Sequence, residues 1–241
     1  MSADSKDRPR NRILAALPAH EYEYLLPHLK PVLLEYKQVL YEPHKTIRYS
    51  YFPEDSVISM VSTLIDKTVV EVGLAGREGM VCVSTFLGAD STPHRGIVQG
   101  QGKAMRIKAS VLREEFKRGS RLQDLLLRYT QAHLVQIAQT SVCNRLHALE
   151  ARLSRWLLMI LNRVDGDDFL LTQDIISMML GAQRTGVTEA AGTLQKKGVI
   201  RYSRGRITIL DRQKLEETAC ECYWIVKEEY DRLSGARTPS H

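Results

Sequence analysis

Nowhere in the 241 residues does an apolar run approach the roughly 18 residues that a membrane-crossing helix needs. The opening MSADSKDRPRNR is polar, with no apolar core of a signal peptide behind it, so the expectation is a cytoplasmic protein without membrane attachment. Cysteine is scarce. Cys82, Cys143, Cys220 and Cys222 are too few in so long a chain for a disulfide framework, and their spacing matches none of the common zinc patterns. They read as reduced thiols, with no metal site and no cofactor expected. Charge of one sign is missing from either half: residues 1–120 carry 17 basic and 14 acidic side chains, and residues 121–241 carry the same numbers, so neither half is a basic domain. Low-complexity sequence is absent too. With 44% hydrophobic and 26% charged residues the composition is that of an ordinary globular protein, long enough for one large domain or two modest ones.

The patterning that is present changes twice along the chain. After a basic tail, ILAALPAHEYEYLLPHL (13–29) reads as short helical turns broken by Pro18 and Pro27. From about 32 to 108, short apolar or alternating runs (VLLEY, QVLYE, VISMVST, TVVEVGLA, GIVQGQGKAMRIK) are separated by turn signals such as EPHK, FPED, AGREG and GADSTPHRG, the pattern of a β sandwich or barrel. From Ala109 to about Val164 proline disappears. Apolar residues then recur at helical spacing: Leu122, Leu125, Leu126, Tyr129, Leu134, Ile137, Ala138, Val142, Leu146, Leu149, Leu153 and Leu157. A helix this long with one narrow stripe wants a partner, and an identical helix from a second subunit is the simplest one; packing within the chain is the alternative. Gln136, Gln139 and Thr140 interrupt the stripe, and a break near 144–150 would separate a dimer helix from a second helix, ALEARLSRWLLMILNRV.

The third segment carries the functional signal. VDGDD (164–168) reads as a turn, Thr172 as the N-cap of a helix with Ile175, Ile176, Met179 and Leu180 inward, and Gly181 as its left-handed stop. A second helix from about Gln183 to Lys197 follows within two or three residues, Gly198 ends it, and VIRYSRGRITIL reads as a small hairpin. This is the plan of a winged helix-turn-helix. Val187, Ala190, Ala191 and Leu194 would anchor the second helix. Its other face presents Gln183, Arg184, Thr185, Thr188, Glu189, Gly192, Gln195 and Lys196, short or hydrogen-bonding residues suited to base edges in a major groove. The net charge of +6 permits nucleic-acid binding, and its distribution supports it. Within 181–212, Arg184, Lys196, Lys197, Arg201, Arg204, Arg206 and Arg212 face only Glu189 and Asp211. The candidate DNA-binding residues are thus Thr172, Gln183, Arg184, Thr185, Thr188, Glu189, Lys196, Lys197, Arg204 and Arg206. Arg184 is placed to read a guanine, and the lysines and wing arginines to meet phosphates.

At LTQDIISMMLGAQRTGVTEAAGTLQKKGVI the chain resembles the catabolite-activator and anaerobic-regulator (Crp/Fnr) superfamily of bacterial transcription factors. The shared features are a leucine-threonine start, an acid-isoleucine pair, a methionine-leucine-glycine turn and an arginine in the second helix. The likeness extends more weakly to the whole order of β segment, long helix and helix-turn-helix. It implies an α+β fold with an N-terminal antiparallel, jelly-roll-like β-roll, a long dimerisation helix and a C-terminal winged helix-turn-helix, in a homodimer that binds double-stranded DNA. The implied divisions are a β-roll effector domain at 13–120, a dimerisation helix at 121–147, a DNA-binding domain at 148–212 and a C-terminal helix and tail at 213–241. Arg184 matches the family's base-reading arginine. Thr185 stands where many members have glutamate and Glu189 where some have a second arginine, which implies an operator other than the family's best-known half-site.

The same resemblance locates an effector pocket whose signature is not intact. A cyclic-nucleotide site of the family needs a Gly-Glu pair for the ribose and an Arg-Ser/Thr-Ala segment for the phosphate. Here Gly76 and Glu78 are separated by Arg77, and Arg95 is followed by Gly96 and Ile97. Without its cationic clamp a buried phosphate is poorly held, so Gly76, Glu78 and Arg95 are weak pocket candidates and any effector is unidentified; a ligand- or redox-responsive regulator with a divergent pocket is the alternative. No cysteine precedes Cys82 to bind an iron-sulfur cluster, and His28, His44 and His94 read as turn residues rather than haem ligands. Cys220 and Cys222, two apart on an expected C-terminal helix, would point about 200° apart, which argues against their being two ligands of one metal. That helix, LEETACECYWIVKEEYDRL, would pack Leu215, Ala219, Cys222, Tyr223, Val226 and Tyr230 inward, or offer a surface to RNA polymerase. An enzyme is not expected. A cupin-like metal oxygenase would need two or three histidines and a carboxylate inside a barrel whose strands offer scarcely any histidine. A helix-turn-helix that binds protein is the remaining alternative.

Overall fold

The computed structural model describes residues 9–234. The start of the basic tail and residues 235–241 of the C-terminal segment lie outside the described residues. Asn11 caps the first helix, α1 (Arg12–Ala15): its side-chain oxygen accepts from the Ile13 and Leu14 N–H groups, while its amide donates to the carbonyls of Pro53 and Gly79. Helix α2 (Ala19–Leu25) follows Pro18, and a single 3-10 turn at Leu26–His28 contains Pro27. Both prolines thus sit at helix starts, where the missing N–H costs nothing.

Seven strands then build two antiparallel sheets: β1 (Lys30–Leu34), β2 (Val39–Tyr41), β3 (Tyr49–Pro53), β4 (Val57–Thr63), β5 (Val69–Ala75), β6 (Arg95–Gly100) and β7 (Gly102–Lys108). One sheet has the order β1-β7-β3 and the other β2-β6-β4-β5, the β-roll expected for this half. Leu34, Tyr41, Ile47, Tyr51, Ile58, Ala75, Val81, Val98 and Ala104 fill the space between them. Gly96 of β6 has no side chain because Tyr41 lies on it; a Cβ there would stand 2.2 Å from the Tyr41 ring.

The proline-free stretch forms α3 (Ala109–Lys117), α4 (Arg121–Leu146) and α5 (Leu149–Leu161), with two extended residues, His147 and Ala148, making the break between the last two. The stripe read from the sequence divides in two. Leu122, Leu125, Leu126 and Tyr129 are buried against the chain's own β-roll and N-terminal helices. Tyr129 donates its hydroxyl to the Met80 carbonyl (2.9 Å) and its ring lies where any Gly79 side chain would be. Leu134, Val142 and Leu146 face outward. The polar interruptions prove to be internal contacts: Gln136 donates to the Leu74 carbonyl and Gln139 to the Cys222 sulfur.

Beyond α5 come β8 (Asp168–Leu170), α6 (Gln173–Leu180), α7 (Arg184–Lys196), β9 (Ile200–Ser203), β10 (Arg206–Ile209), α8 (Arg212–Thr218) and α9 (Cys222–Ser234). Two expectations are corrected. Asp168, read as the last residue of a turn, begins β8, which pairs with β10 and makes the hairpin a three-stranded sheet of order β8-β10-β9. A three-residue strand shows no period of its own and is defined by its partner. The single C-terminal helix is in fact two, broken at Ala219–Glu221, so the 200° separation of Cys220 and Cys222 does not hold. Helix α9 packs along α4, burying Tyr223, Val226 and Tyr230. Among the described residues, no helix is long and apolar enough to cross a membrane.

The helical C-terminal half is joined to the β-roll by apolar and by buried polar contacts. Val57, Val61 and Leu74 of the β-roll belong to the same apolar cluster as α5, α6 and α7. Arg163, just past α5 and buried, donates to Glu78 (2.8 Å), to the Met159 carbonyl (2.6 Å) and to Gln136 of α4 (3.1 Å). Glu71 of β5, also buried, accepts from Ser59 and from the Trp156 indole N–H of α5 (2.9 Å). Burial pushes the Glu71 carboxyl up to about 7, against the opposing pull of those two donors and of Arg155 and Arg163. Because the folded value exceeds the unfolded one, Glu71 favours folding fully only below the ordinary glutamate range, and that contribution is lost as pH rises through 7. Glu71→Gln is therefore expected to reduce the fall in unfolding free energy between pH 5 and 8, a fall of up to about 3 kcal/mol from this group. Urea unfolding followed by tryptophan fluorescence at several pH values checks this; equal pH slopes for both proteins would contradict it.

Candidate nucleic-acid interface

Three local devices shape the surface of α6 and α7. Thr172 caps α6, its hydroxyl accepting from the Ile175 N–H (3.3 Å). Gly181 closes α6 at φ 56°, and the Ala182 N–H returns to the Ser177 carbonyl, so the chain reverses within three residues. Val187, Ala190, Ala191 and Leu194 then hold α7 in the core, while Gln183, Arg184, Thr185, Thr188, Glu189, Gln195 and Lys196 are exposed. Gly186 lets α7 approach α5 closely, since a Cβ there would lie 3.0 Å from Leu149. Lys197 closes α7 and Gly198, at φ 69°, ends it.

The hairpin turns through Arg204 and Gly205, both left-handed (φ 51° and 74°), with Ser203 paired to Arg206 across a two-residue loop. Gln195 accepts from the Tyr202 N–H (2.8 Å), which fastens the wing to α7. Gly205 sits over Thr172, whose methyl would lie 3.2 Å from a Cβ there. The wing, the cap of α6 and the exposed face of α7 therefore form one continuous surface.

Its charges are held loosely. Arg184 pairs with Asp174 (3.2 Å) and leans on Gln173 (3.4 Å), all at the surface. Arg206 pairs with Asp168, to which Thr208 also donates (3.1 Å). Lys197 reaches Glu150 of α5 (2.6 Å). Lys196, Arg201 and Arg204 have no ion-pair partner among the described residues. Thr188 donates to the Arg184 carbonyl (2.9 Å), which leaves its oxygen lone pairs available. Exposed pairs of this kind contribute about 0–1 kcal/mol each, so a phosphate can displace the carboxylates at little cost.

The pocket candidates are engaged elsewhere. Glu78 is paired with Arg163 and also accepts from the Gly76 N–H (3.1 Å); the stem of Arg163 lies where a Gly76 side chain would be. Arg95 pairs with Glu42 (2.7 Å). Of the histidines, His28 and His44 are exposed, and His94 is half-buried with its ionisation pushed down by burial.

Sequence reasoning missed two groups. The Arg163 network had no signal, because its partners are separated by tens of residues. The other is a cluster of Cys143, His147, Cys220 and Cys222, brought together where the end of α4 meets the α8–α9 junction. The expected 200° separation of Cys220 and Cys222 is not found, because the break between α8 and α9 brings both sulfurs within 4.8 Å of the Cys143 sulfur. His147 lies one helical turn after Cys143, a C-x-x-x-H spacing visible in the sequence.

Residues 151–218 match the model of the Crp-like helix-turn-helix domain. No curated protein sequence matches the chain. Among solved structures, FixK2 from Bradyrhizobium japonicum superposes with a TM-score of 0.67 at 14% identity, over 80% of this chain and 98% of that one. A CRP-family transcriptional regulator from Thermus thermophilus, TTHB099, gives 0.64 at 16% identity, over 79% and 96%. CLP from Xanthomonas campestris, described as a c-di-GMP responsive global regulator, gives 0.64 at 14% identity, over 80% and 100%. The chain thus carries a Crp-like helix-turn-helix domain within the overall fold of Crp/Fnr regulators.

The cap that orients α6 has a measurable weight. Thr172→Ala is expected to lower unfolding free energy by about 1 kcal/mol and Thr172→Ser by much less, since only the alanine removes the acceptor. Urea denaturation midpoints compare the two, and equal losses would assign the effect to the methyl contact with the wing instead.

Proposed function

We propose that the protein is a sequence-specific, DNA-binding transcriptional regulator that acts as a homodimer and inserts α7, about residues 183–197, into the major groove. The observation that carries this reading is the division of α7. One face is buried by Val187, Ala190, Ala191 and Leu194, and the opposite face exposes Arg184, Thr185, Thr188 and Glu189 with no large apolar residue among them. A helix with so little to bury and so much hydrogen-bonding capacity outward suits base edges. Arg184, at the first turn, would exchange Asp174 for the paired acceptors of a guanine. Lys196, Arg201 and Arg204 would meet phosphates directly, and Arg206 after releasing Asp168. Lys197, like Arg206, would first release its carboxylate, Glu150.

Selection of duplexes from a random pool tests the reading, with two-fold symmetric sites expected from a dimer. On the selected site Arg184→Ala should cost about 1–3 kcal/mol and relax base preference. Lys196→Ala should weaken selected and random duplexes alike and reduce the salt slope by about one. Equal losses on both duplexes for Arg184→Ala would overturn the base-reading role, and salt-independent binding would overturn DNA binding itself.

The homodimer reading rests on the outward face of α4. Leu127, Leu134, Val142 and Leu146 are 47%, 57%, 43% and 72% exposed and follow one another at helical spacing along nearly the whole helix. Such a stripe fits its own copy in a parallel pair. Leu134→Glu is expected to convert dimer to monomer in sedimentation; an unchanged mass would exclude this interface. The divisions 13–120 for the effector domain, 121–147 for the dimer helix and 148–212 for the DNA-binding domain follow from the same reading. Glu78 held by Arg163 and Arg95 held by Glu42 support an effector domain that does not bind cyclic nucleotide.

A further inference from the structure

We propose that Cys143, His147, Cys220 and Cys222 form a tetrahedral zinc site that fastens the end of α4 to the start of α9. The four donor atoms all lie within 4.8 Å of one another. The Cys143 and Cys220 sulfurs are 3.4 Å apart, and His147 Nδ1 is 3.5 Å from the Cys222 sulfur. A tetrahedral zinc ion with bonds of about 2.3 Å to sulfur and about 2.0 Å to nitrogen spaces its donors about 3.5–3.8 Å apart. Two of the donor pairs thus already stand within a few tenths of an ångström of the required spacing, and the cluster as a whole contracts by about 1 Å at most to receive one ion. An iron-sulfur cluster would interpose several atoms and hold its thiolates farther apart. Three thiols and one imidazole are, besides, a donor set of structural zinc sites.

The surroundings are those of a metal site as well. His147 turns Nδ1 to the sulfurs and has Glu221 at its other nitrogen, Nε2 (3.3 Å), the carboxylate support that fixes a ligand imidazole. Gln139 donates to the Cys222 sulfur (3.1 Å). Arg155 is an independent pointer. It is only 2% exposed, it lies beside Cys143, its Nε has no hydrogen-bond partner, and no carboxylate lies within ion-pair distance among the described residues. A buried guanidinium with no directly paired carboxylate is costly. On binding, the three cysteines release their protons to solvent, and the zinc ion with three thiolates and a neutral imidazole carries a net charge of −1, which Arg155 then balances. The donors come from the last turn of α4, the break that follows it and the α8–α9 junction. The ion would thus grip both sides of the joint between the long helix and the helix-turn-helix half.

Zinc content after expression in zinc-supplemented medium and gel filtration, and the optical spectrum after exchange to cobalt, test the site. About one ion per chain is expected in the wild type, with the visible bands of tetrahedral cobalt and a thiolate-to-cobalt charge-transfer band. Cys220→Ser should lose retained zinc and change the spectrum, whereas Cys82→Ser, whose thiol is buried in the β-roll, should keep both. The wild-type cobalt spectrum decides the matter even if Cys220→Ser fails to fold. Reduced wild-type protein that takes up no cobalt into thiolate coordination would overturn the site, as would equal loss in Cys82→Ser. A Cys143–Cys220 disulfide in protein that, once reduced, still binds no metal would also overturn it.

Discussion

The guanidinium of Arg163 is the group on which the arrangement of the halves depends. It is buried, and it spends its donors on three separate parts of the chain: Glu78 after β5, Gln136 in the middle of α4 and the Met159 carbonyl of α5. A charge in such a place must keep its counter-ion, because losing Glu78 would leave an uncompensated ion in a low-dielectric interior, worth about 3–5 kcal/mol. The consequence is positional. The β-roll, the long helix and the helix-turn-helix half are held in one registry at one point, and Arg77 reinforces it by donating to the Arg163 carbonyl (3.0 Å) and pairing with Asp165 (2.9 Å). Tyr230 and His133 close the network from α9 and α4. His133 is pushed down to about 4 by burial and by Arg163, so it meets Tyr230 as a neutral ring.

The outward surface of the C-terminal half has the opposite character. Its arginines are paired only with exposed carboxylates or with none, and its small residues leave space for a partner's backbone. Rigid support beneath and exchangeable charges above are a division of labour suited to reading a polyanion: the helix must not move relative to its base, yet its side chains must be free to trade partners. Gln195 contributes to the support, since its carbonyl oxygen is committed to the wing.

The helix-turn-helix was legible because each of its demands is local. A threonine cap, a glycine at a left-handed position, apolar residues three and four apart and a Ser-Arg-Gly turn are all readable within about forty residues. Most strands of the two sheets were legible, although not their pairing; β3 was not, because its end overlaps the turn-like FPED, and the single run GIVQGQGKAMRIK holds both β6 and β7. What could not be read was contact across sequence distance. Glu78 and Arg163 stand 85 residues apart, and nothing near either announces the other. Gln136 and Gln139 looked like defects in an apolar stripe because their partners, Leu74 and Cys222, come from other elements. The cysteines were misjudged for a similar reason: periodicity extended one helix through Ala219–Glu221, and a continuous helix would indeed have kept Cys220 and Cys222 apart.

The apolar cluster that runs from Val57, Val61 and Leu74 into α5, α6 and α7 bears on how such a chain can vary. The turn glycine of the reading element, Gly181, lies against Val70 of β5, where a Cβ would stand 3.3 Å from that side chain, and Gln99 of β6 touches Met179. The reading half therefore does not end at its own last helix; part of its interior is supplied by the sheet. Excised, it would present that interior to water. Exchanged for the corresponding part of a relative, it would need a matching sheet surface. Change at the base of the helix-turn-helix and change along β4 and β5 are thus tied together, and the two halves can diverge only in step.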